Sequence, residues 1–468
     1  MRYIFVLFLF LNQSCAVTQD CDCAHSFGQL KAGFEANYAL FKIKVTEKNR
    51  AVYESFVEGV AAKAATTSSA DCKKVLESYL EFFQDGHVWI KEVTKDEKSF
   101  KSKELTEKDF LQYLTQRGAA LHPIEGIWQG EYYKVAIIKD DTSENMAFVG
   151  VVLKSQSDSW KPGQIKIELE PQTDGSLQAK YYMGDHSLKE LTANLIEQNR
   201  ILKLKGIGGW SKQMPLAENE EPLDFSQYDT EKPSLQILDT DNILLTIPSF
   251  GSEFKSILDT LLHSNHEQLT STSNLIIDIR ENGGGGDATY HDLMQYIYTD
   301  TIVLPVGGMY LTERNSAYFR GFFEGTDSTE WEPELVQMLH YMETLNDTLV
   351  YWSEDDFFTD TYDTVYTFPK NVAILTSKES FSSAETFVLS AKQSHKVMTF
   401  GEKTGAGVDG FNVNSYPIDC YTFQYPTGTR SKFLPVDAVE PLGIRPDFPL
   451  DPKDPKLIQK VMQRLSRM

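Results

Sequence analysis

Apolar and polar positions change period along the chain, and the changes mark its parts. Val75, Leu76, Tyr79, Leu80 and Phe83 recur at helical spacing, and residues 27–83 read as mainly helical. Gln84-Asp85-Gly86-His87 follows. Gly86 suits the left-handed position that ends a helix, which puts His87 just beyond the stop. Residues 91–109 mix Lys and Glu and read as a solvated connection or helix face. From about 124 to 205 the period falls to two. Ile165, Ile167 and Leu169 alternate with polar residues, Asp174-Gly175 marks a turn, and residues 177–182 return as a hairpin partner. Residues 133–138 and 148–153 are further strand candidates, so this part reads as a small antiparallel β domain. Residues 211–232 are polar, with several Glu, Asp and Pro, and read as a linker. Beyond 235, the short apolar runs 243–247, 275–279, 372–375 and 397–400 alternate with helical stretches. The predicted organisation is α+β and multidomain: a helical region at 20–120, a β domain at 121–210, a linker at 211–234 and an α/β domain at 235–468. An insertion at 321–369 interrupts the last of these. It has no Lys or Arg but is rich in Asp and Glu, with Trp331, Tyr341, Tyr351 and Trp352 among them. It is expected to be either a lid or wall of a cleft, or a solvated excursion.

The first residues change the picture. Met1-Arg2-Tyr3, an apolar run at 4–11 and a small-residue zone ending at Ala16 fit a secretory signal peptide at 1–16, too short to span a bilayer. The alternative is a buried N-terminal strand or helix. Cys15 stands where a bacterial lipoprotein signal places its lipidated cysteine, although Asn12 stands where that pattern has Leu, so Cys15 is a candidate lipid anchor. The chain is therefore expected to be exported: periplasmic or outer-membrane-associated if bacterial. Its other cysteines are Cys21, Cys23, Cys72 and Cys420. No second close pair completes a zinc site with Cys21 and Cys23, and no metal or cofactor is expected. A bridge from one of them to Cys72 is one reading and simple thiols the other. The 468 residues carry a formal net charge of −22. Such a surface repels phosphate backbones, which argues against a nucleic-acid partner.

Two segments carry candidate chemistry. In the first, residues 275–279 form an apolar strand that runs through Arg280-Glu281-Asn282 into Gly283-Gly284-Gly285-Gly286 and then Asp287, which is placed to cap a helix. Glycines let backbone N–H groups approach a reacting atom. No Gly-Lys-Ser/Thr follows, so this is not a P-loop. A plain glycine-rich turn is the alternative. In the second, residues 371–376 lead through a polar turn to Ser382-Ser383-Ala384-Glu385 and a probable helix. A serine at a strand–turn–helix junction can present its hydroxyl as a nucleophile, although the Gly-x-Ser-x-Gly spelling is absent. Equally, Ser382 and Glu385 can form a capping box.

Together these segments resemble the family of tail-specific (C-terminal-processing) proteases, tricorn core proteases and retinoid-binding-protein repeats. Asp278 to Gly285 matches its Asp-x-Arg-x-Asn-Gly-Gly-Gly, and Ser382 with Glu385 its Ser-x-x-Glu, whose serine is the nucleophile. Gly401, Glu402 and Thr404 match its Gly-Glu-x-Thr-x-Gly. Ala406 stands at the last glycine, which is either displaced to Gly407 or reached by a one-residue shift of the loop. Tail-specific proteases take a lysine after this segment as base. Ala406-Gly407-Val408-Asp409 contains none, and Lys403 comes too early. The tricorn-like branch uses a histidine in Asp-Gly-His and a glutamate before Gly-x-x-Pro-Asp. Asp85-Gly86-His87 and Glu440 to Asp447 match these. Many tail-specific proteases also carry a PDZ domain, which residues 124–205 do not resemble.

The resemblance implies a crotonase-like catalytic domain and a serine peptidase acting on peptide or protein substrates. Ser382 would be the nucleophile, His87 the general base and Glu440 its orienting carboxylate, direct or through another hydroxyl. The oxyanion hole would take Ser383 N–H and one glycine N–H, with Gly284 the central choice beside Gly283 and Gly285. In isolation His87 reads as a helix-end packing residue and Glu440 as a surface carboxylate. The rival functions are a binding module for apolar ligands on the same scaffold, and an esterase.

Overall fold

The computed structural model describes residues 21–92, 101–140, 147–157, 159–184, 186–225, 232–323, 331 and 333–467. The expected leader at 1–16 and Cys15 lie outside them. The chain divides into two compact units: residues 1–94, 304–358 and 407–441 form one, and residues 95–303, 359–406 and 442–468 the other. The α/β span expected at 235–468 thus contributes to both.

In the first unit the helices Cys23–Asn37, Phe41–Lys44, Arg50–Ala64 and Ser69–Leu80 appear where helical spacing placed them. Their apolar faces meet in an aromatic core of Phe34, Tyr38, Tyr53, Tyr79 and Phe83, joined by Phe423. The core backs an antiparallel sheet ordered Trp89–Glu92, Tyr421–Thr429, Gly308–Leu311, Thr348–Tyr351, with Gly410–Ile418 also paired to Tyr421–Thr429. Two disulfides, Cys23–Cys72 and Cys21–Cys420, replace the simple thiols. The left-handed residue after the helices is Gln84, at φ 48°, not Gly86. A 3-10 turn, Glu81–Phe83, prolongs the helix and brings the stop two residues earlier. The acidic insertion is partly built into this unit. It supplies the helix Pro333–Thr344 and the strand Thr348–Tyr351, which pairs with Gly308–Leu311.

In the second unit the β domain is a closed eight-stranded barrel from Gly126–Gln129 to Gly208–Met214, each strand antiparallel to the next. Trp128, Trp160 and Trp210 are in its core, so the interior is filled by side chains. The last strand runs to Met214, into the segment expected to be linker. Beside the barrel in sequence lies a six-stranded sheet ordered Ser234–Ile237, Asn242–Thr246, Asn274–Asp278, Asn371–Thr376, Val397–Gly401, Phe448–Pro449. All pairs but the first are parallel. Such strands are buried on both faces, which explains their near-continuous Ile, Leu and Val. Among the described residues no helix is long and apolar enough to cross a membrane.

Candidate active site

Parallel pairing determines which loops meet. Asn274–Asp278 and Asn371–Thr376 are neighbours in register, with Asp278 opposite Leu375. Their carboxyl ends therefore open on the same edge of the sheet, where ligands bind in open α/β sheets. The glycine loop leaves the first strand there and the Ser382 turn leaves the second.

Asn282 joins the two. It is fully buried, its carbonyl accepts from Phe381 N–H (3.0 Å), and its Oδ1 accepts from Gly284 N–H (2.9 Å). Asp278 and Arg280 of the same motif form a fork-like ion pair at 2.6 and 2.9 Å, which anchors the strand end. Asp287 does not cap an α-helix. It opens a 3-10 turn, Asp287–Thr289, and the α-helix starts at His291.

Ser382 stands just before the helix Ser383–Ala391, at φ 57° and ψ −123°. A non-glycine residue held there costs about 1–3 kcal/mol and persists only when its surroundings impose it. Glu385 is part of that imposition. It is fully buried, takes Ser382 N–H at 3.2 Å through Oε2, and takes Thr404 Oγ1–H (2.5 Å) and Ala406 N–H (3.0 Å) through Oε1. The capping contact and the strained turn thus coexist, and the Ser-x-x-Glu and Thr404 segments are parts of one support. Ala406 itself adopts the positive φ, 62°, where the family pattern has glycine.

The first unit holds His87 and Glu440 together. Asp85, His87 and Glu440 each offer a polar atom, all within 4.8 Å of one another, and all three residues are buried. Asp85 accepts from His87 N–H (2.9 Å) and from Tyr38 O–H (2.6 Å). Glu440 accepts from Lys44 Nζ (2.7 Å) and from Asp409 N–H (3.2 Å). Burial holds the His87 imidazole below its ordinary range, with Asp85 opposing. Burial, followed by the charge of Asp85, pushes the Glu440 carboxyl up to about 8, and Lys44 pulls against both.

Residues 243–449 match the model of Peptidase family S41. The chain carries an S41 peptidase domain. This domain is that of a serine-type peptidase. No curated protein matches the chain by sequence. Solved structures similar to it include mature CPAF in complex with lactacystin, at 12% identity and TM-score 0.47, covering 95% of this chain and 97% of that one. The photosystem II D1 C-terminal processing protease is 12% identical with TM-score 0.39, covering 95% and 97%. The tricorn protease is 14% identical with TM-score 0.39, covering 95% of this chain and 37% of that one.

Within the S41 domain, sequence reasoning had named Ser382, Ser383 and the glycines. It gives Asn282 no structural role, gives Glu385 only a capping role without its bonds to Thr404 and Ala406, and does not name Lys44. For Asn282 and Glu385 the signal was their place in the motifs. For Lys44, on a four-residue helix, no local signal existed.

Proposed function

We propose that this chain is an exported serine peptidase that cleaves peptide bonds through an acyl-enzyme, on a crotonase-like α/β scaffold. Ser382 is the nucleophile, His87 the general base and Glu440 the carboxylate that orients His87. The observation that carries this reading is the conformation of Ser382. A strained serine at the carboxyl end of a parallel strand, followed directly by a helix, matches a nucleophile elbow in geometry if not in spelling.

The chemistry follows from the parts. Serine needs a base beside it. A histidine whose pKa is lowered by burial is neutral near pH 7, and so can take the Ser382 proton and return it to the leaving amine. The Gly284 N–H is engaged by Asn282 and the Gly286 N–H by Phe250 O (2.8 Å). This turns the oxyanion role from Gly284 to Gly285 or Gly283, with Ser383 N–H as the second donor. Two disulfides favour an oxidising compartment, which supports export of the chain.

The test is covalent labelling by a fluorophosphonate probe. The wild-type chain should be labelled and should hydrolyse casein. Ser382→Ala should do neither, and His87→Ala should lose both while Lys403→Ala keeps them. Labelling of Ser382→Ala at the wild-type rate would remove the assignment.

A further inference from the structure

The Asp85, His87 and Glu440 cluster holds a cation of its own. Lys44 Nζ lies 2.7 Å from Glu440 Oε2 and 4.0 Å from Asp85 Oδ2, and donates to the Phe83 carbonyl at 2.8 Å. The Glu440 side chain is 2% exposed and that of Asp85 0%. A carboxylate as dry as that of Glu440 and so close to Asp85 calls for a counter-charge beside it. The neighbouring cation, Arg430, is engaged elsewhere: it grips Asp409 Oδ1 at 3.0 and 3.2 Å. Asp409 in turn takes Glu440 N–H at 2.9 Å. The groups that face Glu440 are therefore Lys44, Asp85, His87, Tyr38 and Asp409, and Lys44 is the cation in contact with it.

We infer that Lys44 is a positioning residue of the catalytic set, which favours the ionised form of Glu440 and ties it to the turn that bears His87. This rests on the assignment of His87 and Glu440 proposed above. The ammonium acts through two contacts. Its charge stabilises the Glu440 carboxylate against burial and against Asp85. Its bond to Phe83 O joins Glu440 to the end of the helical segment four residues ahead of His87. Lys44 touches no reacting atom in this scheme. It sets the ionisation state and the orientation of the carboxylate on which the imidazole depends.

The experiment compares the pH profile of kcat/KM, with fluorescein-labelled casein as substrate, in the wild-type chain, Lys44→Met and Lys44→Arg. Thermal melts and fluorophosphonate labelling rates are measured alongside. Lys44→Met should lower kcat at pH 7 by about tenfold or more, with KM little changed. Its ascending limb should move to higher pH by about one unit or more, because Glu440 without its cation ionises later. Activity should recover in part at high pH, and Lys44→Arg should keep the wild-type limb. An unmoved limb in Lys44→Met, whether or not rate or melting temperature falls, overturns the inference and leaves the catalytic set standing. If Lys44→Met does not fold, the same limb is read in Lys44→Gln. Full activity of His87→Ala would instead overturn the catalytic assignment itself, and this role with it.

Discussion

A Cβ atom on Gly284 would stand 2.7 Å from Cβ of Ser382. It would also meet Phe381 O at 2.8 Å and Ser383 N at 3.1 Å, and the φ of Gly284 is 100°. The glycine loop therefore lies directly against the candidate nucleophile, and neither backbone can yield without moving the other. Gly284→Ala should cost about 1–3 kcal/mol of stability. The displaced turn should lose about a hundredfold or more in fluorophosphonate labelling rate. Unfolding midpoints and labelling at the wild-type rate would contradict this packing.

Ser382 holds a conformation that glycine adopts without strain. Ser382→Gly should be inactive and yet more stable than the wild-type chain, by up to about 1 kcal/mol. Ser382→Ala, which keeps the strain, should be inactive with no such gain. Paired thermal melts check this, and equal melting of the two variants would show that the turn stores no strain.

Ala406 carries the same signature without the chemistry. At φ 62° an L-residue pays a penalty that glycine avoids, offset in part by the greater freedom of glycine in the unfolded chain. Ala406→Gly should stabilise the protein by about 0.5–1 kcal/mol and leave turnover within about twofold. Urea unfolding and casein hydrolysis measure the two. A loss of stability would mean that the methyl group makes contacts worth more than the strain.

The activity should rise with pH in a way that separates His87 from Glu440. Burial depresses the first, so the imidazole is already neutral below its ordinary range, and raises the second to about 8. Both working forms are deprotonated, so the group with the higher pKa sets the limb. The ascent of kcat/KM should therefore lie near pH 8 rather than in the ordinary histidine range. Glu440→Gln should remove it, leaving a slower enzyme whose limb lies lower. An identical profile in that variant would exclude Glu440 as the titrating group.

The Cys23–Cys72 bridge spans 49 residues of the helical segment. The double substitution Cys23→Ala, Cys72→Ala should cost about 2–4 kcal/mol. Denaturant midpoints measured with and without dithiothreitol should show the wild-type chain approaching the variant on reduction. Insensitivity to the reductant at full reduction would remove the bridge as a source of stability.

Much of the candidate site is visible in the chain as written. The strands at 133–138, 148–153, 243–247, 275–279 and 372–375 announce themselves because burial on one or both faces imposes a local period. The Asn-Gly-Gly-Gly and Ser-x-x-Glu segments do so because tight turns and helix starts demand particular residues within a few positions. Departures from local rule were harder to place. The left-handed stop fell on Gln84 rather than Gly86 because the helix tightened into a 3-10 turn, which no periodicity marks.

The sequence by itself determined the α+β organisation and most of the helical and strand segments, since each follows from contacts within about a dozen residues, whereas Ser382 and Gly283 to Gly285 entered as candidates through the family resemblance. Only the tertiary structure decided the rest. Closure of the barrel pairs Gly208–Met214 with Gly126–Gln129. The Cys21–Cys420 bridge joins residues 399 apart, and Lys44 reaches Glu440 across 396. Engagement of the Gly284 amide depends on where the side chain of Asn282 points. The raised pKa of Glu440 comes from burial beside Asp85. These depend on which distant groups share a dry, crowded space, and local spacing carries no record of that.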